Sequence, residues 1–478
     1  MSVPLIGREA EKQILYEALQ SQEAEMVAVV GRRRVGKTFL IKTVYKHQIV
    51  FSISGELNAP LKEQLERFSY TIKEYAGAAL PLSVPQNWQQ AFMLLIEYLK
   101  TQDFTEKKVV LLDELPWLTS NDSGFLRGLS FFWNSWAVNQ NIVVVVCGSA
   151  ASWMIQNLVH HKGGLHNRIT KRIFLKPFTL AETQQFFQNK GFVFNHKEIV
   201  ELYMALGGIP HYLKEVKGDK SIVQNIDQLC FSDTGFLKDA FSKLYHALFD
   251  RAEKHIAIIR ALASSKQGLP RHKIVEWSKI PENGNTSKVL EELEQSGFIT
   301  SYFPFGKLKK NKLYRLTDEY SLFYLQFIEN KIHVGSGTWH HLSQTQEYKT
   351  WSGYAFESIC LKHIASIKKA LGISGVYSLS SSFYQKATLD QLGVQIDLLL
   401  ERADQIIQVF EIKFCNGIFF LTKETAESLQ RKLRAFTEVT KTRKRLSLTL
   451  ITTYGLKQSM YSSGLVEHVL TLDDLFLA

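Results

Sequence analysis

A glycine-rich loop near the N-terminus carries the residues whose spacing predicts the clearest chemistry. In the segment Gly31–Thr38, two glycines are separated by four residues and followed by lysine and threonine, which is the pattern of a phosphate-binding loop. Glycines let backbone amides approach phosphate oxygens, Lys37 can reach the β- and γ-phosphates, and the Thr38 hydroxyl can ligate Mg²⁺. We therefore predict a site for ATP and Mg²⁺, with nucleotide contacts from Gly31, Arg34, Val35, Gly36, Lys37 and Thr38.

Two acidic residues follow a second apolar run. Val109–Leu112 has the composition of a buried strand, and Asp113 and Glu114 come directly after it. Such a strand places Asp113 at its carboxyl end, beside the phosphate-binding loop, where it can hold Mg²⁺ through water. Glu114 can orient or deprotonate the water that attacks the γ-phosphate. Ordinary surface carboxylates at a strand end are the alternative.

Three further polar residues are candidates for the same site. Ser149 follows the predicted strand Ile142–Cys147, and a hydroxyl there can position water near the γ-phosphate; an ordinary polar loop residue is the alternative. Either Arg168 or Arg172 can serve as an arginine finger, within the chain or toward a neighbouring subunit. Ordinary surface arginines remain open as the alternative for both.

The C-terminal region contains a second cluster of charged residues. Predicted strands at 395–400 and 406–414 flank a polar turn, and symmetric pairing about Asp404 puts Asp397 opposite Glu411. Side chains alternate along a strand, so Lys413 shares a face with Glu411. Opposed carboxylates repel each other unless they share a divalent cation, and this pattern predicts metal-dependent phosphodiester hydrolysis. An edge hairpin with solvated charges is the alternative.

The elements that must position these residues alternate between strands and helices as far as about residue 178, which predicts a parallel sheet covered on both faces. A helical stretch follows, and then three helices and a hairpin in the order of a winged helix-turn-helix. The predicted architecture is α/β, with four domains: a P-loop ATPase core at 1–178, a helical lid at 179–240, a winged helix at 241–335, and a restriction-endonuclease-like α/β domain at 336–478.

Composition limits the partners and the compartment. The 478 residues are 45% hydrophobic and 22% charged, with a formal net charge of +11, which favours a polyanionic partner, either nucleic acid or an acidic membrane surface. A solvated basic surface without a partner is the alternative. The cysteines are too few and too far apart for a metal knuckle or a disulfide framework. We expect a cytoplasmic protein without a signal peptide or a membrane span, because no apolar run is long enough for one.

The N-terminal motifs resemble those of the archaeal-type ATPases, a branch of the AAA+ and STAND-related NTPases. The resemblance rests on Leu5–Glu11, on the loop at 31–38, on Asp113 and Glu114, and on the motif Gly207–Leu213. It covers roughly the first 215 residues. It implies that Ile6, Gly7 and Arg8 lie near the adenine and that Pro210 approaches the nucleotide from the lid.

Many members of that family carry a winged helix and then a nuclease-like domain, and the order of elements here is the same. The arrangement of Asp397, Glu411 and Lys413 resembles the PD-(D/E)xK nuclease core. That resemblance implies a third metal-binding carboxylate on the preceding helix, for which Glu357 is the candidate, with assistance from Gln395 or Lys362. The proline of the nuclease motif is absent.

Two basic runs suit contacts with DNA phosphates. They are Gly306–Lys312, between the predicted wing strands, and Lys441–Arg445. We therefore expect an ATP-hydrolysing protein that acts on DNA through a Mg²⁺-dependent nuclease domain. A regulatory ATPase switch is the alternative, with a winged helix that binds a partner or DNA and an inert C-terminal domain. Homo-oligomers are compatible with both.

Overall fold

The computed structural model describes residues 4–77, 83–119, 124–159, 165, 167–249, 251–281, 284–307, 311–329, 335–387 and 393–477. The chain divides into two compact units. The first contains Met1–Pro177 together with Gln295–Gly297, and the second contains Phe178–Glu294 together with Phe298–Ala478. Among the described residues, no helix combines the length and apolarity that crossing a bilayer requires.

The described strands of the first unit form a five-stranded parallel sheet in the order β2-β3-β4-β1-β5. Its strands are β1 (Glu25–Val30), β2 (Ile49–Ser54), β3 (Lys108–Asp113), β4 (Ile142–Gly148) and β5 (Lys171–Phe174). Its helices are α1 (Glu9–Gln20), α2 (Lys37–Val44), α3 (Leu61–Ala76), α4 (Trp88–Leu99), α5 (Leu115–Leu118), α6 (Phe125–Ser135) and α7 (Ala151–Met154). A 3-10 turn at Ala137–Asn139 and a π-helical turn at Ile155–Val159 complete the unit.

Burial explains why the central strands are continuous apolar runs. Every residue of β1 and of β4 is buried, because helices cover both faces of a parallel sheet. On one face, α3, α4 and α6 contribute an aromatic cluster in which Trp88 and Phe125 lie 4.6 Å apart between ring centroids. The predicted α/β P-loop sheet is therefore confirmed.

The second unit begins with helices. They are α8 (Leu180–Asn189), α9 (His196–Leu206), α10 (Pro210–Leu213), α11 (Ile222–Cys230), α12 (Ala240–His246), α13 (Ala252–Ala263), α14 (Arg271–Ser278), α15 (Gly284–Gln295), α16 (Glu319–Phe327), α17 (Thr338–Leu342), α18 (Gln346–Lys362), α19 (Ile364–Ala370), α20 (Lys423–Thr440) and α21 (Leu472–Leu475). Its strands are β6 (Leu269–Pro270), β7 (Ile299–Tyr302), β8 (Leu313–Leu316), β9 (Ser378–Gln385), β10 (Val394–Arg402), β11 (Ile406–Lys413), β12 (Phe419–Phe420), β13 (Arg445–Thr452), β14 (Leu456–Lys457) and β15 (His468–Leu470).

A small antiparallel sheet follows α15. The hairpin β7–β8 is joined by the short strand β6, which pairs with β8. With α13, α14 and α15 before it, this is the element order expected for the segment 241–335. The wing itself is only partly described, because residues 308–310 lie outside the described residues.

The larger sheet of the second unit has the order β15-β13-β11-β10-β9 among the described strands. Strands β9, β10 and β11 are antiparallel neighbours, whereas β13 is parallel to β11 after the crossover helix α20. The pairing of β9 with β10 shifts register between Ile396 and Leu399. A β-bulge of this kind locally disrupts the ladder and re-aims side chains.

The segment after β7 packs on this larger sheet at the bulge. The Phe305 amide donates to the Ser382 carbonyl at 2.8 Å, and the Phe305 ring lies 5.0 Å from that of Phe436 on α20. Phe383 contacts the same Phe436 ring. Phe305 thus packs against the apolar cluster of the later segment, and the boundary at residue 335 stays a prediction.

His363 joins the helical stretch at the start of the unit to α18. Its Nδ1–H donates to the Ile359 carbonyl at 2.7 Å, and its Nε2 accepts the Leu180 amide at 3.0 Å. Both ring nitrogens are used in a neutral imidazole, because Nε2 can accept only when it carries no proton. Burial is the main cause that lowers the pKa of His363 to about 4.

We expect the second unit to lose stability as the pH falls. The pKa of His363 is lowered from about 6.5 in an unfolded chain to about 4 in the fold. Neutral His363 therefore makes its full contribution to the free energy of unfolding above pH 6.5. That contribution, roughly 3 kcal/mol, is lost as the pH falls from 6.5 through 4. The unfolding midpoint of His363→Gln should fall less between pH 7.5 and pH 5 than that of the wild type. Parallel profiles would contradict this assignment.

Candidate functional site

The phosphate-binding loop connects β1 to α2 with an unusual backbone. Arg34 has φ 74° and Gly36 has φ 95°, and successive amides in such conformations form a concave nest that binds anions. Gly31 meets a different requirement. A Cβ atom there would lie 2.4 Å from the Leu175 carbonyl oxygen, so only glycine fits. The loop therefore has the backbone geometry that its sequence pattern predicts.

Lys37, Thr38 and Asp113 come together below the loop. Lys37 is 5% exposed, and its Nζ donates to the Arg32 carbonyl at 3.1 Å. The Thr38 hydroxyl donates to Asp113 Oδ2 at 2.7 Å. Hydroxyl and carboxylate oxygens are the donors that Mg²⁺ prefers, so Thr38 and Asp113 fit the ion as the residues that would hold it. Bound there, Mg²⁺ would neutralise charge developing on the phosphates.

Glu114 is held by the next strand of the sheet. It has φ 44°, and its amide donates to Asp113 Oδ1 at 3.0 Å. Glu114 Oε2 accepts from both the Ser149 amide at 3.1 Å and the Ser149 hydroxyl at 2.8 Å. The structure thus gives Ser149 a role that the spacing did not indicate, which is to position the Glu114 carboxylate. Its predicted contact with the nucleotide stays a prediction.

The remaining nucleotide-site residues are divided between the units. Ile6 and Arg8 are buried, and Gly7 and Arg8 both have positive φ in the turn that begins α1. Arg168 is exposed, as is the second arginine-finger candidate on β5. Pro210 is the first residue of α10 and belongs to the second unit. Three roles stay predictions: Ile6, Gly7 and Arg8 near the adenine, Arg168 as an arginine finger, and Pro210 as the residue that approaches the nucleotide from the lid.

The C-terminal strands pair with the expected symmetry. Leu398 is paired with Phe410 in antiparallel β10 and β11, and one further step in that register puts Asp397 opposite Glu411. Glu411 Oε1 lies 2.7 Å from Lys413 Nζ. Gln395 Nε2 donates to Asp397 Oδ1 at 2.5 Å. The two carboxylates and the lysine therefore share one region of the sheet.

A second lysine that spacing did not indicate completes the contacts of Glu411. Lys432, on α20, places its Nζ 2.7 Å from Glu411 Oε2. Burial works to raise the pKa of Glu411, but the ammonium groups of Lys413 and Lys432 outweigh it and hold the pKa below its ordinary value. Burial works to lower the pKa of Lys413, and the Glu411 carboxylate reverses the shift and raises it.

Glu357 lies close enough to these groups to respond to their charge. Burial, followed by the charge of Asp397, raises the pKa of Glu357 to about 8, while Arg315 and Lys413 act in the opposite direction. Within the described ranges, no group of three or more histidine, cysteine, aspartate or glutamate side chains is arranged to hold a metal ion. The metal-binding roles of Glu357, Asp397 and Glu411 therefore stay a prediction.

Some predicted helpers are engaged elsewhere. Lys362 forms an ion pair with the buried Glu319 at 2.5 Å, so it supports α16 rather than the carboxylate cluster. Lys312, from the first basic run, is paired with Glu294 at 3.2 Å. In the second run, Lys444 and Arg445 are paired with carboxylates at 2.8 Å. These ion pairs reduce the charge that the two runs can offer to phosphates.

The sheet order, the phosphate-binding loop and the pairing of Thr38 with Asp113 define the class of P-loop ATPases. The model of a family described as an ATPase domain predominantly from Archaea matches residues 5–216. The segment is similar to this archaeal family, and the match supports an ATP-binding, ATP-hydrolysing domain there. The resemblance drawn from the N-terminal motifs is thereby confirmed for the ATPase segment.

Two similar proteins extend the comparison. The uncharacterized protein MJECL04 of Methanocaldococcus jannaschii is 24% identical over 416 residues, which are 86% of this chain and 87% of the relative. The Walker-type ATPase PABY2304 of Pyrococcus abyssi is 21% identical, with a TM-score of 0.50 over 67% of this chain and 96% of that protein. At such identity the structural likeness shows the fold alone.

Replacing the glutamate at the end of β3 should separate binding from turnover. Glu114→Gln keeps the size of the side chain but removes a base, so ATP hydrolysis should fall by about 100-fold or more. Nucleotide binding, measured by calorimetry, should change by less than about threefold, whereas Lys37→Ala should abolish it. Ser149→Ala is the matched test of positioning and should reduce turnover less than Glu114→Gln does. Unchanged turnover in Glu114→Gln would contradict the role of this carboxylate.

Proposed function

We propose that this protein is an ATPase that acts on DNA, with a metal-dependent nuclease site in its C-terminal region. One observation carries the proposal. The pairing of β10 with β11 extends to Leu398 and Phe410, and its continuation by one residue places Asp397 opposite Glu411, with Lys413 paired to Glu411 at 2.7 Å. Two carboxylates and a lysine at one place in the sheet are the side chains that a metal-dependent phosphodiesterase needs.

The order of elements supports the same proposal. Helix α18 precedes the antiparallel strands β9, β10 and β11, and α20 then crosses to the parallel strand β13. This is the layout implied by the resemblance to PD-(D/E)xK nucleases. Glu357 on α18 is affected by the charges of Asp397 and Glu411, as a third carboxylate of one site would be.

The chain can supply each part of a phosphodiester hydrolysis. In this proposal carboxylate oxygens of Asp397, Glu411 and Glu357 would hold Mg²⁺ after the lysines on Glu411 give way, and the ion would supply an activated water and neutralise charge at the phosphate. The ammonium group of Lys413 would stabilise the developing negative charge. Water adds to phosphorus, the bond to the leaving oxygen breaks, and that oxygen takes up a proton.

DNA as the partner is supported by charge and by the small sheet. The formal net charge is +11, which favours a polyanion. Helices α13, α14 and α15 with the hairpin β7–β8 have the element order of a winged helix-turn-helix. Oligomers in which Arg168 acts on a neighbouring copy remain part of the proposal.

A regulatory ATPase with an inert C-terminal region is the second candidate, and one observation favours it. Both carboxylate oxygens of Glu411 already have ammonium partners, from Lys413 and Lys432. Such an internal ion pair replaces the charge that a metal would provide. In that case ATP turnover persists while the carboxylates serve only to stabilise the fold.

Supercoiled plasmid incubated with Mg²⁺ or Mn²⁺ should distinguish the two candidates. We expect nicking by the wild type and a loss of about 100-fold or more in Asp397→Asn and Lys413→Met, because each change removes a group needed at the phosphate. Lys423→Met is the matched control, since that side chain is 65% exposed on the same domain. Lys37→Ala tests whether cutting needs ATP. Absence of nicking by a wild type that still hydrolyses ATP would favour the regulatory candidate.

A further inference from the structure

A cleft of about 680 Å³ lies inside the second unit, on the side of α18 that faces the small sheet. Its walls are α13 with the turn that follows it, β8, α16 and α18. Trp351 and Tyr354 line it together with Lys266 and Arg315. Aromatic platforms interleaved with basic groups are the features that bind single-stranded nucleic acid.

Positive charge is concentrated at one end of this cleft. Lys266 Nζ lies 3.7 Å from the ring centroid of Tyr354, and Arg315 Nη2 donates to the Ser358 hydroxyl at 3.1 Å. Both partners are neutral groups. At the opposite end, Arg260 is held by the Glu329 carboxylate through several hydrogen bonds. An anion is therefore attracted toward the end that contains Lys266 and Arg315.

That end adjoins the carboxylate cluster by two routes. Along α18, Glu357 directly precedes the cleft residue Ser358 and lies one helical turn beyond Tyr354. From the other wall, the side chain of Gln267, next to Lys266, donates to Gln395. Gln395 in turn donates to Asp397 Oδ1 at 2.5 Å. The strongest positive charge of the cleft thus lies beside the candidate nuclease residues.

The size of the cleft limits what can enter it. Pockets of roughly 300–1,000 Å³ hold a drug-sized molecule, so a cleft of about 680 Å³ can take one or two nucleotides. A duplex is far too wide for it, and paired bases have no free faces to stack on Trp351 or Tyr354. Unpaired bases stack on aromatic rings whatever their sequence.

We propose that this cleft binds a single-stranded segment of DNA, such as an end or a flap, and leads it to Asp397 and Glu411. The inference rests on the proposed nuclease function and names its substrate class. Arg315 and Lys266 bind the backbone phosphates, and Tyr354 and Trp351 stack the bases. Arg315 is a strand-positioning residue at the entrance to the candidate site.

Strand binding can be measured without metal and hence without cleavage. The probe is fluorescein-labelled oligo(dT) of about 12 nucleotides, followed by anisotropy in EDTA with the full chain. Arg315→Gln and Tyr354→Leu should each weaken binding by about tenfold or more, and an unlabelled duplex should compete at least about tenfold less well than a single strand. Lys423→Gln is the control for loss of one exposed charge in the same unit and should change affinity by less than about twofold.

A conservative variant and two folding controls distinguish loss of strand binding from loss of the fold. Arg315→Lys keeps the positive charge but lacks the planar guanidinium. It should therefore bind oligo(dT) more tightly than Arg315→Gln, and it provides a second test in case Arg315→Gln folds poorly. ATP turnover and the unfolding midpoint verify each variant. Equal affinity of the wild type and both cleft variants, or preference for the duplex, would overturn the inference.

The same variants separate this inference from the nuclease proposal. Asp397→Asn should retain oligo(dT) binding, because that carboxylate acts only at the reacting phosphate. If neither the plasmid nor oligo(dT) is cut in the presence of Mg²⁺ but binding depends on Arg315 and Tyr354, the nuclease proposal fails and the cleft assignment holds. If nicking depends on Asp397 but neither binding nor nicking responds to Arg315→Gln, the cleft assignment fails alone.

Discussion

The parallel register of β3, β4 and β1 is the constraint on which the ATPase site depends. It aligns the carboxyl ends of three strands, so that the phosphate-binding loop, Asp113 and Ser149 arrive at one edge from distant parts of the sequence. The hydrogen bond from Thr38 to Asp113 closes this arrangement at 2.7 Å. A slip of one residue in any of these strands would turn the side chains to the opposite face of the sheet.

In the second unit the governing constraint is the placement of charge in a mostly apolar environment. Glu411 is 13% exposed at its side chain and is compensated by two lysines, whereas Glu357 is kept largely protonated near neutral pH by burial and by Asp397. Groups buried this deeply are costly unless paired or neutralised. The charge of this cluster is therefore already compensated by the two lysines and by protonation of Glu357, and a bound cation would have to replace those contacts.

Local spacing was sufficient to predict the features that lie within a few residues of one another. The loop at 31–38, the acidic pair after β3 and the register about Asp404 all depend on short turns or on strand alternation, whose geometry is fixed. The contacts that spacing missed are long-range. Glu114 and Ser149 are 35 residues apart, Arg315 and Ser358 are 43 apart, and Leu180 and His363 are 183 apart. Such pairs depend on tertiary packing, which composition and periodicity do not encode.

The contact of Phe305 with Ser382 has a mechanical consequence. Ser382 lies opposite the β-bulge between Ile396 and Leu399. The hairpin segment therefore contacts the sheet at the bulge of the strand that bears Asp397. A change in the position of the hairpin would therefore act on the strand opposite the bulge, through the Phe305 amide and through the contact of its ring with Phe436.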